Sequence, residues 1–163
     1  MNRKVLRIKG EADGEPLRYT LSGLDDVYLM SGWKRVETPY GSGVTIKDVD
    51  GLHRAIGFNL VTQKKALSGA EIRFLRKEMG LTQDELGERV CKSGQQVARW
   101  EKSQSEISGS SELLLRVLYL QHLGQHPMLA EIVKQLRAIE DRGNQRQVFK
   151  PTRNGWRPVA ACA

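Results

Sequence analysis

The chain has 163 residues, of which 39% are hydrophobic and 28% charged, a soluble globular composition long enough to bury a core in one or two small domains. Its net charge of +7 favours a polyanionic partner without fixing a fold. No apolar run is long enough to cross a bilayer, Met1–Lys9 lacks the apolar stretch of a signal peptide, and Cys91 and Cys162 are too few and too far apart for a disulfide framework or a zinc knuckle; a cytoplasmic protein with no cofactor, metal or membrane association is expected.

Residues 1–16 are polar and end in the turn signal Asp13-Gly14-Glu15-Pro16. Short strands are predicted over Arg18–Leu21, Val27–Met30, Trp33–Thr38 and Val44–Ile46, punctuated by Gly23, Ser31-Gly32 and Pro39-Tyr40-Gly41-Ser42-Gly43. They make a small antiparallel sheet, with Gly41-Ser42-Gly43 as a hairpin turn. Asp48 to about Gln63 reads as a helix with Leu52, Ala55, Ile56 and Leu60 on one stripe. Residues 1–66 are therefore expected to form an N-terminal β-rich module with one helix.

Three helix starts follow in quick succession. Ser68-Gly69-Ala70-Glu71 and Thr82-Gln83-Asp84-Glu85 each place a hydroxyl at the N-cap and a carboxylate three residues on, the pattern of a capping box. Ser93-Gly94-Gln95-Gln96 repeats the logic, with Gln96 as the returning group. Each start opens a short amphipathic run, which predicts three short helices packed at large angles. A fourth helix is expected over Ser111–Leu123. A fifth is expected from Pro127, with Leu129, Ile132, Val133, Leu136 and Ile139 as a packing stripe or a dimer seam. The fold class is thus α+β: a small sheet with one helix, then a five-helix domain over 67–143. Residues 134–163 carry seven basic side chains against two acidic ones. Residues 144–163 read as a basic, disordered tail.

The second and third of these helices, joined by Cys91-Lys92-Ser93, have the spacing of a helix-turn-helix. At about 100° per residue, Gln95, Arg99 and Lys102 share one face of the third helix, and Val97 and Trp100 lie roughly opposite. A groove-facing helix needs that division, because its first turns must reach base edges while its back is anchored. Gln95, Gln96 and Arg99 are the candidate base readers, since Gln pairs with adenine and Arg with guanine. Thr82, Gln83 and Ser93 stand at helix starts where backbone N–H groups can meet a phosphate. Lys92 and Lys102 would add salt-dependent phosphate contacts. None of His53, His122 and His126 has metal-ligand spacing, and no nucleophile and base occur in a motif, so no enzyme is read.

Leu81-Thr82-Gln83-Asp84-Glu85-Leu86-Gly87, with Ser93 and then Val97-Ala98-Arg99-Trp100-Glu101-Lys102-Ser103, resembles the Xre/Cro-type helix-turn-helix family over about a third of the chain. The resemblance implies a five-helix, λ-repressor-like domain, usually dimeric, on palindromic operators. Gly87 stands where the family has alanine. Cys91 replaces the turn glycine, Lys92 an apolar residue, and Ser103 the glycine after the third helix. If the turn keeps a positive φ, Cys91 is strained there. Ser22-Gly23-Leu24-Asp25-Asp26-Val27-Tyr28-Leu29, followed by a turn and a helix leading into such a domain, is similar to antitoxins of the MqsA class, without their zinc-binding cysteines. The expectation is a homodimeric, autoregulatory repressor of double-stranded DNA. The alternative is an antitoxin that binds a toxin through its N-terminal module.

Overall fold

The computed structural model describes residues 16–125 and 147–159. The elements run β1 (Leu17–Arg18), β2 (Val27–Leu29), β3 (Trp33–Thr38), β4 (Gly41–Ile46), α1 (Val49–Gln63), α2 (Gly69–Glu78), α3 (Gln83–Arg89), α4 (Gly94–Glu101), α5 (Gly109–His122), β5 (Gln147–Thr152) and β6 (Gly155–Pro158). The α+β class holds. The helix expected from Pro127, with its candidate dimer seam, lies outside the described residues.

The strands differ from the expected single small antiparallel sheet. The strand order of the larger sheet is β1-β2-β5-β6, so half of it comes from the segment read as a disordered tail. β1 pairs antiparallel with β2, β2 pairs parallel with β5, and β5 and β6 form an antiparallel hairpin. The physical reason is burial: Val148, Phe149 and Trp156 are 6%, 0% and 8% exposed. Register puts Leu17, Leu29, Phe149 and Pro158 in one row across the sheet. Side chains alternate between faces along each strand, so Phe149, Pro151 and Trp156 share the inward face while Lys150 and Arg157 point outward. β3 and β4 form a separate two-stranded ribbon, with Thr38 opposite Gly41. The hairpin turn is thus Pro39-Tyr40, and the glycines expected to turn the chain lie in β4.

Helix α1 is the spine. Asp48 caps it in a left-handed conformation, its carboxylate accepting from the Gly51 amide. Against one side lies the β5–β6 hairpin, where the Trp156 indole donates to the Asp48 carbonyl at 3.1 Å and Asn59 donates to Gln147 at 2.9 Å. Against the others lie α2 and α5. Gly57 makes the α5 approach possible, because a Cβ there would collide with the Tyr119 ring and hydroxyl. The core therefore does not stop at residue 66: one cluster runs from Val27, Leu29 and Phe149 through Leu52, Ile56 and Leu60 to Leu75, Leu115 and Tyr119.

Polar ties cross the same seam. The wholly buried Arg116 of α5 donates to the carbonyls of Leu60, Val61 and Lys64 at the end of α1, and pairs with Glu112. The Leu60 carbonyl also accepts from the Lys64 amide, whereas the carbonyls beyond it lie in the last turn, where intrahelical donors run out, so the guanidinium closes the α1 terminus. Lys64 bridges Asp26 and Glu71 at 3.1 and 3.0 Å. Burial pulls its ammonium down, but the Glu71 and Asp26 carboxylates outweigh that and hold it above its usual value. His53 lies 2.7 Å from the Tyr19 hydroxyl and 2.8 Å from Glu78 Oε1, linking the sheet region, α1 and the end of α2.

Candidate nucleic-acid interface

Ser68 and Glu71 form a complete capping box at α2, as do Thr82 and Glu85 at α3. The Thr82 amide donates to Glu85 at 2.7 Å and holds its carboxyl below the usual value. At α4, Ser93 accepts from the Gln96 amide at 3.2 Å, but Gln96 does not return the bond as expected. Its side-chain nitrogen donates to Ser105 Oγ at 2.9 Å instead, tying the loop after α4 to the helix.

The helices end alike. In α2, α3, α4 and α5 the residue beyond the C-cap has positive φ: Gly80, Cys91, Ser103 and Gly124. Each end also has two backbone bonds closing back over the last turn, such as Cys91 N to Glu88 O and Lys92 N to Gly87 O. This is the Schellman arrangement. Cys91, at φ 55°, and Ser103, at φ 56°, occupy it despite their side chains, so the turn keeps the geometry for which the resembling family uses glycine. Gly87 is explained by the same turn. A Cβ there would lie 2.6 Å from the Lys92 carbonyl, so glycine lets α3 seat against the start of α4.

The apolar back of α4 is anchored, with Val97 0% and Trp100 3% exposed. Ser93, Gln95, Gln96, Arg99 and Lys102 line one open cleft of about 520 Å³, together with Ala98 and Gln104. Five of the eight residues expected from the sequence therefore come together. Thr82 and Lys92 are exposed but outside this cleft. Gln83 is also outside it, and its side-chain nitrogen points inward to Glu101 Oε2 at 2.9 Å rather than outward to a phosphate. Helical periodicity could not find Gln104, which lies beyond the helix. The signal was Ser103, whose left-handed conformation turns the chain so that the Gln104 amide donates to Arg99 O at 2.9 Å.

Behind the cleft, Glu101 also pairs with the Arg76 guanidinium, which donates in turn to Leu81 O at 2.7 Å. Burial pushes the Glu101 carboxyl up, but the hydrogen bonds from Arg76 and Gln83 and the charges of Arg76 and Arg73 outweigh this and hold it below the usual value. The network fixes α4 against the end of α2 and the start of α3. Among the described residues no group of three or more His, Cys, Asp or Glu side chains could hold a metal ion, and no helix is long and apolar enough to cross a membrane.

The family model described as helix-turn-helix matches residues 72–111, from within α2 to the first turn of α5. That segment is a DNA-binding helix-turn-helix of the Xre type used by transcription regulators. Comparison of the chain with curated proteins and with solved structures gave no match.

Proposed function

We propose that the chain is a sequence-specific repressor of double-stranded DNA, not an enzyme, that binds a palindromic operator as a homodimer in the cytoplasm and regulates its own operon. The observation that carries this reading is the division of α4. Gln95 and Arg99 are exposed on the cleft, while Val97 and Trp100 hold the opposite face in the core. In the major groove, Gln95 and Arg99 would read base edges, each good bidentate pair giving about 1–3 kcal/mol of discrimination. Gln96 reaches a base only by releasing Ser105. The helix starts at Thr82 and Ser93 offer backbone N–H groups to phosphates, and Lys92 and Lys102 add charge. Two such helices in a dimer would enter grooves about 34–36 Å apart.

The test is a gel shift of the full chain on its own upstream DNA, with scrambled competitor, at two salt concentrations. Wild type should survive competitor, and Arg99→Ala should lose that resistance with an unchanged melting curve. Equal operator affinity in the variant would reject Arg99 as a reader.

One observation favours the antitoxin alternative as a second reading. The β3–β4 ribbon pairs with no other strand among the described residues, and Val36 and Val44 are 38% and 43% exposed. An isolated two-stranded ribbon is marginally stable in water, so a toxin could complete it. Co-purification with the product of an adjacent small reading frame, lost in Val36→Asp/Val44→Asp, would support this reading; an unaltered yield would reject it.

A further inference from the structure

The outward face of the β5–β6 hairpin carries positive charge. Lys150 of β5 and Arg157 of β6 are direct cross-strand partners, and both are exposed. Like charges directly opposite each other on a sheet destabilise it. No carboxylate forms an ion pair with either of them among the described residues. Arg153, in the turn joining the two strands, is exposed as well. Arg18 on the same face shows the contrast, because Asp25 pairs with it at 2.7 Å.

The position of this hairpin matters as much as its charge. Trp156 is bonded to the cap of α1 at Asp48, and His53 is bonded to Glu78, the last residue of α2. Both contacts fall in the first part of α1. The hairpin runs along α1 from Asn59, bonded to Gln147, to the Asp48 cap, and its Trp156 end lies toward the part of α1 that meets the end of α2. The start of α3 at Thr82 is one of the two helix starts that offer backbone N–H groups to a phosphate in the proposed complex.

We propose that the outward face of the β5–β6 hairpin is a second DNA-backbone site, in which Lys150, Arg153 and Arg157 contact phosphates flanking the sequence read by α4. This rests on the helix-turn-helix reading and extends it. Phosphates supply the counter-charge that no described carboxylate provides, so the cost of the like-charge pair is recovered on the duplex. The contacts carry no base readout; they raise affinity for every sequence and make it more salt-dependent.

The experiment compares the wild-type full chain with the triple variant Lys150→Gln/Arg153→Gln/Arg157→Gln on random-sequence duplexes, one of half-site length and one several turns long, over a range of salt. The substitutions leave the inward face of the hairpin intact, and a melting curve at or above the wild-type midpoint verifies the fold. On the long duplex the slope of log affinity against log salt should fall by about two to three, since each lost phosphate contact removes about 0.9. On the short duplex the two proteins should converge. An unchanged slope on the long duplex overturns the hairpin site, including the case in which these cations serve an acidic protein partner. Arg99→Ala separates the two readings, because it lowers the preference for operator over random sequence, which the hairpin contacts do not set. Absence of duplex binding by wild type at any salt would overturn the DNA reading itself.

Discussion

Glu101 Oε2 accepts a hydrogen bond from Gln83 Nε2 at 2.9 Å, joining the end of α4 to the first residue of α3. The same carboxylate holds Arg76, whose side chain is only 11% exposed. Glu101→Ala leaves that guanidinium half-satisfied in a buried place, a change that costs about 3–5 kcal/mol in comparable pairs. Its folded-state carboxyl titrates below the unfolded value of 4.5, so the ionised form contributes stability above about pH 4.5 that is lost as pH falls through the lower folded value. Urea melts should therefore show a wide gap between wild type and Glu101→Ala at pH 7 that narrows below pH 4.5. A gap independent of pH would mean that packing, not charge, ties the helices.

Cys91 and Ser103 hold a left-handed conformation that Gly80 and Gly124 hold at the ends of α2 and α5. A side chain in that region costs about 1–2 kcal/mol, partly offset by the extra unfolded-state freedom of glycine. Cys91→Gly and Ser103→Gly should each raise the melting midpoint, by about 0.5–1 kcal/mol in stability. Neither should alter operator choice, since neither side chain lines the α4 cleft. A lower midpoint in both variants would show that the side chains stabilise the turn by contacts that outweigh the strain.

The Tyr119 hydroxyl is buried against Gly57 and has no hydrogen-bond partner among the described residues. Burial, with the Glu78 charge behind it, pushes the phenol well above its ordinary value. Tyr119→Phe removes an unsatisfied polar group and should leave stability unchanged or raised. Gly57→Ala should cost about 1–3 kcal/mol by overpacking the α1–α5 contact. Because the added methyl would meet the ring as well as the hydroxyl, the double variant should remain destabilised. Full rescue would show that only the hydroxyl blocks the approach.

What was legible in the sequence was local. Hydroxyl and carboxylate spacing gave the starts of α2 and α3, and the opposed faces of Arg99 and Trp100 gave the orientation of α4. The strain at Cys91 followed from a glycine-specific turn position occupied by cysteine. What was missed is non-local. Gln83 and Gln96 are long polar side chains whose partners, Glu101 and Ser105, lie on other segments, so they looked free on a helical wheel. β5 pairs with β2 from the far end of the chain. Its apolar residues are few and its flanks are basic, and composition alone resembled a tail.

That last difference yields a prediction that separates the two descriptions of the C-terminal segment. Phe149 is 0% exposed on a strand that lies between β2 and β6. Its replacement by alanine should cost about 3–5 kcal/mol. Truncation after residue 146 should do more. It exposes the pairing edge of β2, leaves Asn59 without its Gln147 partner and removes Trp156 from the start of α1. The truncated chain should melt earlier and less cooperatively than full length, and its weakened DNA binding would then report lost fold as well as lost charge. A truncated chain with the full-length melting curve, and Phe149→Ala at wild-type stability, would restore the tail description. The hairpin's charge can be tested cleanly only by the neutralising substitutions, which leave Phe149 and Trp156 in place.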